Sequence, residues 1–183
     1  MSFKELMALF ATLPAPELSE MDGEFAAALL AQPGALAQII GNLTVNNPLM
    51  PGRWLCKAFR PVFEHSGRGY NAFAHLGRKV QRYPMQTLIA PSRYDARPAY
   101  TLVYAAYRSM CGAIHMVDEV RRVAPGLYLG IGTWGFTARQ RQVALPFVLR
   151  GPVAPYAGDI GTAKRGFDVR QEIPALQHQT RKP

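Results

Sequence analysis

Between Trp54 and Leu149, short β-prone runs alternate with breaks marked by Gly and Pro. Most of the breaks are shorter than the crossovers of a dozen or more residues that parallel strands need. The close spacing therefore favours an antiparallel meander. Seven runs read as strands: 54–60, 69–76, 79–90, 99–107, 111–123, 127–133 and 146–149. The longest has charge on both faces. One row holds Ile114, Met116, Asp118, Val120 and Arg122; the other holds His115, Glu119 and Arg121. Because alternate residues of a strand face opposite sides, such a strand suits a curved sheet closed around a partly polar interior.

The N-terminal segment has a different texture. Ser2-x-x-Glu5 is a capping-box pattern, and Phe3, Leu6, Met7 and Phe10 follow at helical spacing until Pro14 and Pro16. The pattern predicts a second helix over 17–30, with Gly23 inside it, and a short helical turn over 35–40. Asn46-Asn47-Pro48 and Pro51-Gly52 read as loops, and 137–142 as a short basic helix or a loop. After Gly151 the sequence predicts an irregular arm that frays from about Glu172. The expected organisation is one domain over 1–183: a helical segment at 1–45, a β-barrel core at 53–150 and a C-terminal arm at 151–183.

With 183 residues and 49% hydrophobic content, a single domain can bury an ample core. No apolar run approaches the roughly 18 residues of a membrane span. The opening Met1-Ser2-Phe3-Lys4-Glu5 lacks signal-peptide features, so a cytoplasmic location is expected. Cys56 and Cys111 read as buried reduced thiols. His65, His75, His115 and His178 are not spaced as ligands, so neither metal nor cofactor is expected. The net charge is +9, yet Glu5, Glu17, Glu20, Asp22 and Glu24 crowd the first 24 residues. The basic remainder is mostly Arg, which suits bidentate contact with carboxylate or phosphate and would attract anionic partners.

If the Asp118 row lines a cavity, Asp118 is a carboxylate in an apolar setting, a candidate general acid/base or ligand contact; a structural ion pair is the plainer reading. Tyr104, in an alternating row with Tyr100 and Leu102, would present a hydroxyl to the same space or pack with its hydroxyl at the rim. His115 and Glu119 lie about 13 Å apart at about 3.3 Å per residue, too far for a dyad. Ser92-Arg93-Tyr94-Asp95 reads as a turn or as a lid at the barrel mouth. The chain has no phosphate-binding Gly loop, no G-x-S-x-G elbow, and no helix after Gly130-x-Gly132 for a dinucleotide fingerprint. No nucleic-acid motif accompanies Arg82-Tyr83 or Tyr107-Arg108, so nucleic acid is not an expected partner.

Several short motifs, in order, resemble a known group. Leu9-Phe10, Leu13-Pro14 and Glu20-Met21-x-Gly23-x-Phe25 are similar to the start of bacterial GXWXG-domain proteins, and Trp54-x-x-Lys57-x-Phe59 to their W-x-G-K-x-F segment. Tyr107-Arg108-x-x-x-Gly112, Met116-Val117-Asp118-x-x-Arg121-x-Val123 and Leu129-Gly130 resemble the companion domain DUF4334. Phe25 stands where that group has Trp, Ala27 where it has a second Gly, and Cys56 where it has a Gly. The resemblance implies a small calycin-type barrel without an established activity, and it singles out Asp118 and Arg121.

Together these readings predict a mainly β (α+β) fold: an antiparallel lipocalin- or calycin-like β-barrel with an N-terminal helical cap. The expected function is binding of a hydrophobic or amphipathic, acidic-headed small molecule. Arg121 or Arg122 would hold the head, while Trp54, Leu102, Ile114, Met116 and His115 supply the wall and Tyr104 orients. The alternative is an isomerase- or hydrolase-type enzyme with Asp118 as general acid/base and Tyr104 polarising a carbonyl. The third is a basic interaction module uncovered by its acidic helix. Peripheral contact with an anionic membrane, and a homodimer, remain open at this point.

Overall fold

A computed structural model describes residues 1–47 and 51–177. The strands are β1 (Gly23–Leu29), β2 (Asn46–Asn47), β3 (Gly52–Phe63), β4 (Ser66–His75), β5 (Arg78–Pro91), β6 (Pro98–Val103), β7 (Val117–Ala124), β8 (Leu127–Thr133) and β9 (Leu145–Ala154). The helices are α1 (Phe3–Thr12), α2 (Ala35–Val45), α3 (Met110–Ala113) and α4 (Pro174–Gln177). From β3 to β9 each strand pairs antiparallel with the next, and β1 pairs with both β9 and β3. The result is a closed eight-stranded antiparallel barrel of calycin type, with the two-residue β2 appended to β3.

The closing strand was expected as a helix. Three Ala residues favour helix, but the preference is a fraction of a kcal/mol per residue. A strand at this place has partners on both edges and leaves the barrel no open edge. Gly23 permits the entry: its φ is +114°, and a Cβ there would lie 2.8 Å from the Ala154 carbonyl oxygen. Phe25 then points inward between Phe59 and Tyr128, its ring 5.6 Å from each. With Met21, Tyr100, Val120 and Leu149 these rings fill the half of the barrel nearest the β1 start. Each such side chain contributes about 1.5–3 kcal/mol on burial.

The expected strand over 111–123 begins only at Val117. Ser109 caps α3, its hydroxyl accepting from the Gly112 N–H at 3.1 Å. Gly112 lies so close to the Tyr107 and Tyr104 carbonyls that a Cβ would stand 2.5 and 2.8 Å from them. His115, at φ +54°, turns the chain into β7. Likewise β6 ends at Val103, and Tyr104–Ala106 form a 3₁₀ turn.

Outside the barrel, α1 lays Leu6 and Phe10 on Leu129 and Ile131 of β8. Its capping box is formed as expected, with the Glu5 carboxylate accepting from the Ser2 N–H at 2.7 Å. It flanks the wall rather than capping an end, and its apolar face is covered within its own chain. The C-terminal arm is ordered past Glu172. Tyr156 and Ile160 cover Tyr70 and Ala72, and Phe167, Val169 and buried Ile173 cover Ala90 and Val103. His178 and residues 48–50 of the expected loop lie outside the described residues.

Arg121, fully buried, ties these outer layers to the barrel. Its guanidinium donates to Asp95 Oδ2 and Oδ1 at 2.7 and 2.6 Å, to the Phe10 carbonyl of α1 at 2.9 Å, and sits 4.5 Å over the Phe10 ring. This hydrogen bonding holds the Asp95 carboxyl below its ordinary range. A depressed folded-state value stabilises above the unfolded value of about 4, and that stabilisation is lost as pH falls through the folded one. Urea titrations should therefore show an acid loss of stability below about pH 4 that Asp95→Asn removes. Arg121→Ala should cost about 3 kcal/mol at neutral pH, since it strands buried acceptors and a partly buried carboxylate.

Candidate functional site

The inward row of β7 is Asp118, Val120 and Arg122, which settles the face of that strand. Asp118 lies near the end of the barrel opposite the aromatic plug, where an apolar cavity of about 270 Å³ opens. Its wall includes Trp54, Phe73, Tyr83, Ile114, Met116 and Phe147, and α2 reaches its mouth through Gly41. At the floor, Lys57 of β3 meets Asp118 of β7. Nζ and Oδ2 are 2.7 Å apart, and both side chains are essentially inaccessible.

A β-bulge puts Lys57 there. Trp54 pairs with Phe73 but Cys56 with Ala72, so one residue of β3 is extra and the inward row shifts. Trp54, Lys57 and Phe59 then share the interior although strict alternation separates Trp54 from Lys57. The ammonium group's three hydrogens go to Asp118 Oδ2, to Asn71 Oδ1 at 3.0 Å and to Tyr104 Oη at 2.5 Å. The rings of Trp54, Tyr104 and Phe147 surround it at 5.2, 5.3 and 5.2 Å. They add favourable cation–π attraction where water is excluded.

The remaining valences are nearly all spent. Tyr104 Oη donates to Asp118 Oδ2 at 3.0 Å and accepts from Asn71 Nδ2 at 3.0 Å. Trp54 Nε1 donates to Asn71 Oδ1 at 3.1 Å. Burial, and then the Asp118 charge, push the Tyr104 hydroxyl far above its ordinary range, so it remains a neutral donor. Burial pushes the Cys111 thiol, also on the wall, up to about 12, which makes it a poor nucleophile. Asp118 Oδ1 alone among the carboxylate's oxygens accepts from no described protein group. Gly132 lies beside it, and a Cβ there would stand 3.0 Å from Oδ1.

Of the residues expected at the site, Asp118, Tyr104, Trp54, Ile114 and Met116 line the cavity. Leu102 is in the packed core beside it. Arg121 does not reach the cavity: it faces outward and is committed to Asp95 and α1. Arg122 is on the inward side but at the plugged end, paired with Glu20 at 2.7 Å. His115 is on the outer face, its Nδ1 2.7 Å from Glu172 Oε1. The 92–95 loop is at the plugged end and so is no lid for this mouth. Glu20 and Glu5 are each engaged on the flank, so no acidic helix covers a basic face. Sequence reasoning missed Lys57 and Asn71 as site residues. The available signal was a lysine inside the apolar run Trp54-Leu55-Cys56-Lys57-Ala58-Phe59.

No family model and no curated protein matches this chain. Among solved structures, the crystal structure of a protein from Thermomonospora curvata superposes on it with a TM-score of 0.55 and 15% identity. The match covers 82% of this chain and 87% of that one. At that identity the likeness is one of fold alone. Among the described residues no group of side chains could hold a metal ion, and no helix is long and apolar enough to cross a membrane.

Breaking one half of the floor pair should be worse than removing both. Lys57→Met leaves a buried carboxylate and should cost about 3–5 kcal/mol in urea unfolding, whereas the double variant Lys57→Met/Asp118→Leu should recover most of that loss.

Proposed function

We propose that the barrel binds a small, mostly apolar molecule whose one polar head donates a hydrogen bond to Asp118 Oδ1. The observation that carries this reading is the buried, unpartnered oxygen of Asp118 at the closed end of an apolar cavity. Apolar burial supplies most of the affinity, and a charge-assisted hydrogen bond sets the orientation. The head is a hydroxyl or amine rather than the acid expected from the sequence. The arginines of that expectation lie elsewhere, Lys57 has no hydrogen left to offer, and a carboxylate head would confront Asp118. Kinship with the GXWXG and DUF4334 group belongs to the same proposal, because the motif residues Lys57 and Asp118 are the two that meet at the floor.

A second reading is supported by the same oxygen. Asp118 Oδ1 is placed to take a proton from a bound carbon or oxygen acid, with Lys57 steadying the carboxylate. Tyr104 has no part in it as a polarising donor, since its proton is committed to Oδ2. Deuterium exchange into a bound ketone, lost in Asp118→Asn, would establish this reading; no exchange above buffer would dismiss it.

Calorimetry with straight-chain alkanols and the matching alkanoates tests the binding proposal. Alkanols should bind, with affinity rising with chain length and then ceasing where the cavity is full, and alkanoates should not. Gly132→Ala, which crowds Oδ1 while leaving the partners of Oδ2 in place, should weaken alkanols about tenfold, and Arg122→Ala should leave them unchanged. Preference for the acids, or alkanol binding insensitive to Gly132→Ala, refutes it.

A further inference from the structure

The mouth of the cavity is ringed by chain that has no acidic residue. The segments 30–47, 51–53, 75–79, 104–116 and 133–144 form this end of the barrel, and none contains Asp or Glu. They contain Arg53, Arg78, Lys79, Arg108, Arg139 and Arg141. Lys79 is spoken for by Glu24, while Arg53, Arg78, Arg108 and Arg139 are exposed and have no carboxylate partner among the described residues. The acids that contact these segments, Glu24 and Glu172, are both buried and engaged, with Lys79 and His115. Exposed Asp22 and Glu64 lie at the opposite end of the barrel.

The same end also exposes apolar side chains. In α2, Leu36, Ile39 and Leu43 share one helical face and are 71%, 57% and 63% exposed, whereas Gly41, on the opposite face, lines the cavity. The helix turns its apolar stripe away from the barrel, the reverse of a helix packed on a core. Met110, Trp134 and Phe136 extend the exposed apolar surface around the mouth.

We infer that this face docks on an anionic lipid bilayer. Aliphatic and aromatic side chains enter the boundary between headgroups and acyl chains, a tryptophan sits where tryptophans collect at membrane interfaces, and arginines meet lipid phosphates. A second copy of the same face is disfavoured, because it would set one all-basic rim against another. Docked in this way, the cavity opens toward the acyl region, and an apolar molecule passes between bilayer and barrel without crossing water. The docking itself does not depend on what the cavity binds.

Sedimentation with phosphatidylcholine vesicles, with and without phosphatidylserine, tests this. The protein should bind the anionic vesicles, release with added salt, and ignore neutral ones. In a Trp54→Phe background the fluorescence of Trp134 should shift to the blue on binding. Arg53→Glu, Arg78→Glu, Arg108→Glu and Arg139→Glu should each weaken binding at least about fivefold, and Leu36→Ser/Ile39→Ser/Leu43→Ser should abolish it. Arg150→Glu, near the plugged end, should change binding far less, and Gly132→Ala should leave it intact even if it blocks alkanols. Equal affinity for neutral vesicles, no binding, or an equal loss with Arg150→Glu overturns the inference. So does a dimer in sedimentation velocity that the triple serine variant dissolves.

Discussion

An ion pair across the lumen organises this barrel. In the ring of eight strands β3 and β7 are opposite one another, four steps apart in either direction, and Lys57 and Asp118 join them at 2.7 Å. Two buried charges are tolerable only if they meet and their other valences are filled. Asn71 from β4 and Tyr104 from the turn after β6 fill most of them, so strands around half the circumference contribute to one network. The pair also divides the interior. Below it aromatic rings fill the lumen, and above it lies the apolar cavity. A hydrophobic pair at the same place would serve stability as well, so its retention here fits a floor that must present a polar group to the space above.

The division of labour between inside and outside charge follows from alternation. Asp118 and Arg121 are three apart on one strand and therefore face opposite ways. One serves the cavity, and the other fastens α1 and the 92–97 loop to the outer wall. Each is a buried charge satisfied by several partners, so neither reveals its role by residue type alone. The partners make the difference. Every donor of Arg121 ends on protein, whereas one oxygen of Asp118 does not.

The antiparallel barrel was legible because turn signals and close strand spacing favour a meander over crossovers, and strand 127–133 has the bounds read from the sequence. Trp54 was legible as apolar wall and Asp118 through alternation once the face is known, whereas Ile114 and Met116 line the cavity from the end of α3 and the turn before β7 rather than from the expected strand. Three things were not. Strand β1 carries a helix-prone sequence, and its pairing with β3 and β9, remote in sequence, overrides that local preference. Lys57 was hidden by the bulge at Leu55, since strict alternation puts it with Leu55 on the face opposite Trp54. Arg121 and Arg122 looked equivalent as ligand contacts, and only the position of Asp95, Phe10 and Glu20 shows that both are occupied.

The cavity depends on where bulk is absent. On the inward row of β8, Gly130 and Gly132 stand two apart, and the two spaces are used differently. Phe147 fills the first, lying within 2.2 Å of where a Cβ of Gly130 would be, which turns a gap into wall. Nothing but Asp118 Oδ1 comes within 3.5 Å of the corresponding point at Gly132. Large side chains at both positions would bring the aromatic packing up to the mouth and bar any donor from the buried oxygen, whose unmet demand costs about 1–3 kcal/mol. Glycine at 132 lets the cavity wall close up to Asp118 without displacing the carboxylate. The same residue thus keeps room beside an oxygen that meets no protein donor, which is where a donor from outside would have to arrive.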